Sequence, residues 1–153
     1  LERKGLLTRL EEWLAENSGD LPWHGGEVFT KASMKGQLHP LIKEVKKHKV
    51  VVVGPEWLRS LPFADIFIRV AEKNCWRQVD TIEKQLRGLK NVVISFSAGP
   101  TTKVLIHRLY PIIGEHSWMI DFGSVWDPYC GVKSRGYHGR VTPQVQKRNL
   151  SGK

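Results

Sequence analysis

Val50-Val51-Val52-Val53, closed by Gly54-Pro55, decides the fold. Four consecutive β-branched residues leave no polar face, so the run predicts a strand covered on both sides, as in a parallel sheet. The form recurs in Ile66-Phe67-Ile68-Arg69-Val70, Asn91-Val92-Val93-Ile94-Ser95-Phe96 and Trp118-Met119-Ile120-Asp121-Phe122. Between the second and third runs, Val79, Ile82, Leu86 and Leu89 follow helical spacing. Between the third and fourth, Val104, Leu105, Arg108 and Leu109 do the same. Another helix is predicted to open near Pro40, a favoured first helical position, and to turn Leu41, Ile42 and Val45 inward. Strands alternating with helices imply crossover connections. The expectation is a single α/β domain with an open parallel sheet of about four or more strands flanked by helices. Residues 50–53 and 91–96 are expected to be interior strands.

The flanks read differently. Leu6, Leu7, Leu10, Trp13 and Leu14 make one helical stripe ended by Asn17-Ser18-Gly19-Asp20. Residues 21–36 contain Pro22, Gly25, Gly26 and Gly36 and predict a loop with a short strand at Glu27 to Thr30. After Asp127 the glycines, prolines and basic residues predict a loop-rich tail. The division is an N-terminal helix and loop segment at 1–36, an α/β ligand-binding core at 37–130 and a basic, loop-rich C-terminal tail at 131–153.

With 153 residues, 41% of them hydrophobic, the chain is the size of one domain with one continuous core. No run approaches the roughly 20 apolar residues of a membrane span, and the first residues lack the apolar stretch of a signal peptide. These features predict an intracellular, cytoplasmic protein. Cys75 and Cys130 have no partners at metal-ligand spacing, and Cys75 reads as a small buried side chain. A formal charge of +9 favours an anionic partner: a phosphorylated small molecule, a nucleic acid or an acidic glycan. Lys43, Lys46, Lys47, His48 and Lys49 cluster at one helix end and read as a solvated face.

Ligands of open α/β sheets bind beyond the carboxyl ends of the strands, where loops meet and helix N-termini present free N–H groups. The unusual residues fall there. Ser97, Ala98 and Gly99 before Pro100 let a ligand approach the backbone, and Lys103 adds a charge; the alternative is a tight turn in which glycine only relieves strain. Neither a Walker loop nor a dinucleotide fingerprint is present, which removes the main support for a kinase or NAD enzyme. Asp121 ends an apolar strand, where a charge needs a partner; with Asp127 it forms a candidate Mg²⁺ or Mn²⁺ site, or accepts sugar hydroxyls, against the alternative of a local cap. Glu56 is a candidate general base or a helix-start cap. Trp57, Trp76 and Trp126 follow three strand ends, and one or two are expected to meet a ligand. Arg135, His138 and Arg140 either return over the site to neutralise phosphate or belong to a disordered tail.

The order of these motifs carries a resemblance. Val50 to Glu56, then Asn74-Cys75-Trp76-Arg77-Gln78, then Ile94 to Pro100 with Lys103-Val104-Leu105, and finally Ile120 to Asp127 together resemble the GT-D type glycosyltransferase domain over roughly residues 35–138. The resemblance implies a Rossmann-like scaffold and sugar transfer from a nucleotide diphosphate sugar, often a uridine diphosphate (UDP) sugar, to a hydroxyl of a glycan or other acceptor. It implies Gly54 and Glu56 on the donor side, Ser97, Ala98 and Gly99 as the diphosphate loop, and Asp121, Gly123, Ser124 and Asp127 on the sugar and metal side. Trp76, Arg77, Lys103 and Arg135 complete the candidate donor-binding set, and Glu56, Asp121 and Asp127 the catalytic set. Glu56, Glu27 and Asp121 compete for the role of base. The family's Asp-Gly-Glu-like element has here only Gly25-Gly26-Glu27 after His24, without the aspartate, which bears on metal-dependent activity. Rival readings are a nucleic-acid-binding module, although no helix-turn-helix, zinc or ribonucleoprotein motif is present, and a non-catalytic remnant of the fold.

Overall fold

A computed structural model describes residues 26–153 together with Glu12 and Glu16. The stripe from Leu6 to Leu14 and the element around His24 and Gly25 lie largely outside the described residues. The rest is a Rossmann-like α/β structure. Strands β1 (Lys49–Gly54), β2 (Ile66–Arg69), β3 (Val92–Phe96) and β4 (Trp118–Asp121) form one sheet in the order β2-β1-β3-β4, with every pairing parallel. Among the described residues five helices flank it: α1 (Val28–Lys35), α2 (His39–Val45), α3 (Val79–Leu86), α4 (Thr101–Ile113) and α5 (Pro143–Ser151). None is long and apolar enough to cross a membrane.

The alternation of side chains along β1 and β3 divides the core into two layers. Val51, Val53, Ile94 and Phe96 pack with Ile82 and Leu86 of α3 and Leu105 and Leu109 of α4. Val50, Val52 and Val93 pack with Ile42 and Val45 of α2 and with Leu58, Phe122 and Trp126. Both interior strands are therefore covered on both faces, which is why their sequences carry no polar alternation. Ser95 is the polar member of β3, and the buried Trp126 indole donates to its Oγ at 3.0 Å. Trp126 is 2% exposed, a core anchor with its N–H satisfied inside the protein.

Two parts of the flanks differ from the sequence reading. Residues 28–35 are helical where a loop and a short strand were expected. Phe29 packs against Phe122 at a ring separation of 4.7 Å, and Ser33 hydrogen-bonds Tyr129, so burial of one helical face outweighs the β-branched Val28 and Thr30. Gly36 ends the helix in the left-handed conformation, its N–H turned to the carbonyls of Ala32 and Ser33. The expected loop-rich tail contains α5. Thr142 caps its start by accepting the N–H of Val145, Pro143 stands at the first turn, and Gly152 closes the end. These punctuation marks were present in the sequence.

Helix α5 is latched by Asn149, which is fully buried. Its Oδ1 accepts the Leu38 N–H at 2.8 Å, while its Nδ2 donates to the Ser33 carbonyl at 2.8 Å and to the Tyr129 hydroxyl at 2.7 Å. Asn149→Ala leaves the buried Leu38 N–H without a partner and takes one of two donors from the Ser33 carbonyl, which keeps the Gly36 N–H. We predict a loss of about 2–4 kcal/mol of stability, read as a lower Tm or urea midpoint. An unchanged midpoint would show that the latch is not needed to hold α5.

Candidate functional site

The chain starts in the middle of the sheet at β1, runs outward to β2, then crosses back to β3. The order therefore reverses between β1 and β3, and their carboxyl ends diverge into a crevice. The Ser97 N–H reaches the Val53 carbonyl at 2.8 Å, tying the two strand ends together at its floor. Above them opens a cleft of about 430 Å³. Its walls come from four loops: Pro55 and Trp57 after β1, Ala71, Glu72 and Asn74 to Trp76 after β2, Ser97 to Thr101 after β3, and Gly123, Ser124 and Asp127 after β4. Ser134 and Arg135 close one side.

The loop after β3 is shaped for close approach. Gly99 has φ +56°, and a Cβ built there would meet no heavy atom within 4 Å, so its missing side chain opens into free space. The N–H groups of Thr102 and Lys103 turn back to the carbonyls of Gly99 and Pro100 at 3.0 and 3.1 Å. Those of Gly99 and Thr101 have no partner among the described residues. Two backbone donors at the start of α4 thus remain for an anion. Cys75 supports the loop: its Sγ lies 3.1 Å from both the Ala98 carbonyl and the Thr101 hydroxyl, in keeping with a small buried side chain. The Ser97 Oγ, also in this wall, is a buried polar atom without a partner.

The acidic candidates separate. Asp127 lines the cleft and is 4% exposed. Its Oδ1 accepts the Trp57 indole N–H at 3.0 Å, and its Oδ2 accepts the Ser134 hydroxyl. Two donors fix its orientation, while a carboxylate retains lone pairs for further donors. Asp121 is not among the cleft-lining residues. Its Oδ2 pairs with Lys103 and its Oδ1 accepts the Gly123 N–H at 3.0 Å, which braces the turn into the left-handed Gly123. Glu56 points to solvent, bonded to Arg59 at 2.5 Å and 3.7 Å from Arg69. The hydrogen bond from Arg59, reinforced by both positive charges, holds its carboxyl below the usual carboxylate range. Glu27 is an exposed partner of Lys31 on α1.

Gly54, at the end of β1, is buried with Leu58 and Ser97 where a Cβ would sit, so it permits strand-end packing rather than exposing backbone to the cleft. Trp76 is 59% exposed and stands in the cleft wall, whereas Arg77 and Lys103 are not part of that wall. Glu72 and Ser134 line the cleft and were missed. Glu72 lies in the loop after β2, where the rule of carboxyl ends alone would have found it. Ser134 is brought in by the fold of residues 131–140, which the sequence presents as a run of glycines and cations.

Among the described residues no group of three or more His, Cys, Asp or Glu side chains is gathered as a metal ion requires. Asp121 is committed to Lys103, so these residues do not fit a cation held jointly by Asp121 and Asp127. Comparison with protein-family models, curated proteins and solved structures returns no match.

Proposed function

We propose that this is a glycosyltransferase-like domain that binds a nucleotide diphosphate sugar in the cleft and passes the sugar to an acceptor hydroxyl. The observation that carries the reading is the convergence of four complementary groups on one cavity: the Gly99 and Thr101 N–H groups, the Arg135 cation, the Trp76 ring and the buried Asp127 carboxylate. The volume lies within the range of small-molecule sites. The motif resemblance agrees with it in chemistry.

In this reading the diphosphate rests on the small-residue loop and is neutralised by Arg135, while Trp76 offers an apolar face to base or sugar. Asp127, already holding two donors, accepts sugar hydroxyls through charge-assisted bonds. Glu72 lines the cleft and makes no ion pair among the described residues, so it replaces Glu56, Glu27 and Asp121 as the candidate base. The acceptor oxygen forms a bond to the anomeric carbon and gives its proton to Glu72. The bond from that carbon to the diphosphate oxygen breaks, and its electron pair leaves with the diphosphate, stabilised by the two N–H groups and Arg135.

Thermal-shift titration with UDP, UDP-glucose and other nucleotide diphosphates, each with and without Mn²⁺, tests this directly. At about 100 times Kd a ligand of the folded state adds about 2.7 kcal/mol, which moves Tm by roughly 5–10 °C for a domain of this size. No shift with any nucleotide diphosphate at millimolar concentration would sink the proposal. A nucleic-acid reading draws on a separate place, the opposite pole, where exposed Trp118 packs at a tilt against His48 beside exposed Lys46, Lys47 and Lys49. Steeply salt-dependent single-strand binding that UDP does not displace would favour it.

A further inference from the structure

Arg135 is an exposed residue of an exposed stretch, yet it stands in the cleft wall. What fixes it is not its own side chain, whose one hydrogen bond among the described residues runs to the neighbouring Ser134 carbonyl at 3.1 Å. Three anchors tie down the chain around it. Ser134 donates to Asp127, Tyr137 shares a 3.1 Å hydrogen bond with the Ser124 hydroxyl, and His138 is 0% exposed beneath the segment.

His138 anchors in a specific way. Its Nδ1 accepts the Arg135 N–H at 3.3 Å, and its own N–H donates to the Arg135 carbonyl at 3.1 Å, so both backbone groups of Arg135 are held by one residue. The Tyr137 ring meets the imidazole edge-on at 4.3 Å. An acceptor at Nδ1 requires the neutral tautomer with the proton on Nε2. The Nε2 is buried without a well-formed hydrogen bond, the Ser124 backbone lying near the ring.

The geometry points to His138 as a positioning residue that holds Arg135 against the donor site, and holds it only while the imidazole is neutral. The inference rests on the nucleotide-sugar reading of the cleft. Protonation puts a donor on Nδ1 facing the Arg135 N–H, so the contact that holds Arg135 becomes a repulsion. The charged and titratable groups around the ring are Asp127, Arg135 and Tyr137. Helix α1 packs against the same segment and carries the exposed Glu27–Lys31 pair and Lys35. Burial pushes the His138 pKa down, opposed by the nearby Asp127 charge and the Ser124 backbone and assisted by Arg135. A lowered histidine pKa means the unfolded chain takes up the proton first. Stability is therefore full above the ordinary imidazole value of about 6.5 and is lost as the pH falls from there through the lower folded value.

The test uses UDP-glucose, whose diphosphate diester keeps a constant charge over this range, and compares wild type with His138→Asn, His138→Phe, Arg135→Ala and the double variant Arg135→Ala/His138→Phe. Asparagine keeps an acceptor near the Nδ1 position and does not titrate. His138→Asn is expected to bind within about 3-fold of wild type at pH 7.5 and to abolish the acid-side weakening of affinity that wild type shows. His138→Phe is expected to lose about 10-fold, the same as Arg135→Ala, with no further loss in the double variant. Full affinity in a folded His138→Phe protein, or an unchanged pH profile in His138→Asn, overturns the proposal. Hydrogen exchange of the Arg135 amide supplies a readout without ligand: protection should fall with pH in wild type and stay level in His138→Asn. That measurement decides the positioning role even if His138→Phe does not fold. It also separates failure of this inference from failure of the nucleotide-sugar reading, which is shown by wild type not binding UDP-glucose.

Discussion

Asp127→Asn is expected to lower sugar transfer by on the order of 10²-fold or more, the scale of losing a positioned charged group, while Asp121→Asn leaves transfer within a few-fold of wild type. The two residues look alike in sequence, one an aspartate at the end of the fourth apolar run and the other an aspartate shortly after it. They differ in what surrounds them. Asp127 faces the cleft, and the Trp57 and Ser134 donors hold it there. An amide keeps one oxygen for the Trp57 N–H but removes the charge on which sugar hydroxyls would bind. Asp121 spends its charge on exposed Lys103 and its other oxygen on the Gly123 N–H. Asparagine preserves the second contact, and a largely solvated ion pair contributes little. The measurement is initial transfer rate and donor affinity for both variants, alongside Tm. The reverse order of effects, with Asp121→Asn inactive and Asp127→Asn active, would move the catalytic carboxylate to the rim beside Lys103 and overturn the assignment made here.

The contrast shows what was legible in the sequence. Runs such as 50–53 and 92–96 carry their environment in their composition, because a strand covered on both faces cannot afford polar positions. The strand-end rule then points to Ser97 to Thr101, Trp76, Gly123, Ser124 and Asp127, all of which line the cleft. What it did not encode is side-chain direction. Glu56 immediately follows Gly54-Pro55, yet it turns out to Arg59 and Arg69 while its neighbour Trp57 turns in to Asp127. Adjacent residues of a single 3₁₀ turn diverge by roughly 120°, so the sequence places both at the strand end without saying which one enters the cleft. Long-range polar contacts were equally hidden. Asn149 and Leu38 are 111 positions apart, and only the docking of α5 shows that a basic tail completes the layer under β4's loop.

The same reasoning explains the position of the functional charge. The formal excess of +9 is spread over exposed helix ends, and most of it has no connection with the cleft. Of the cations named as candidate ligands, Lys103 is drawn to Asp121 and Arg77 stands outside the wall. Arg135 alone among them lines it. A net charge can steer an anion toward the protein, but in the proposed complex recognition falls to one guanidinium of the wall and two backbone donors, in a cleft that also holds the Glu72 and Asp127 carboxylates.

Gly99→Val is expected to reduce nucleotide diphosphate affinity by about 100-fold, or about 2.7 kcal/mol, without unfolding the domain. Gly99 is in the left-handed region at φ +56°, where a β-branched residue is strained by roughly 1–2 kcal/mol. That cost alone predicts a lower Tm and says nothing about a ligand. The second part of the argument comes from the empty surroundings: no protein atom lies within 4 Å of the added Cβ, so the side chain enters open space rather than the core. In the proposed complex that space is where phosphate oxygens approach the Gly99 and Thr101 N–H groups. Gly99→Asn separates strain from obstruction, because asparagine tolerates the left-handed conformation better than other residues with a side chain. If the loop cradles a diphosphate, Gly99→Asn binds UDP weakly while melting close to wild type. If it is only a tight turn, Gly99→Asn and wild type bind UDP alike in calorimetry, and the diphosphate site must be sought elsewhere along the cleft.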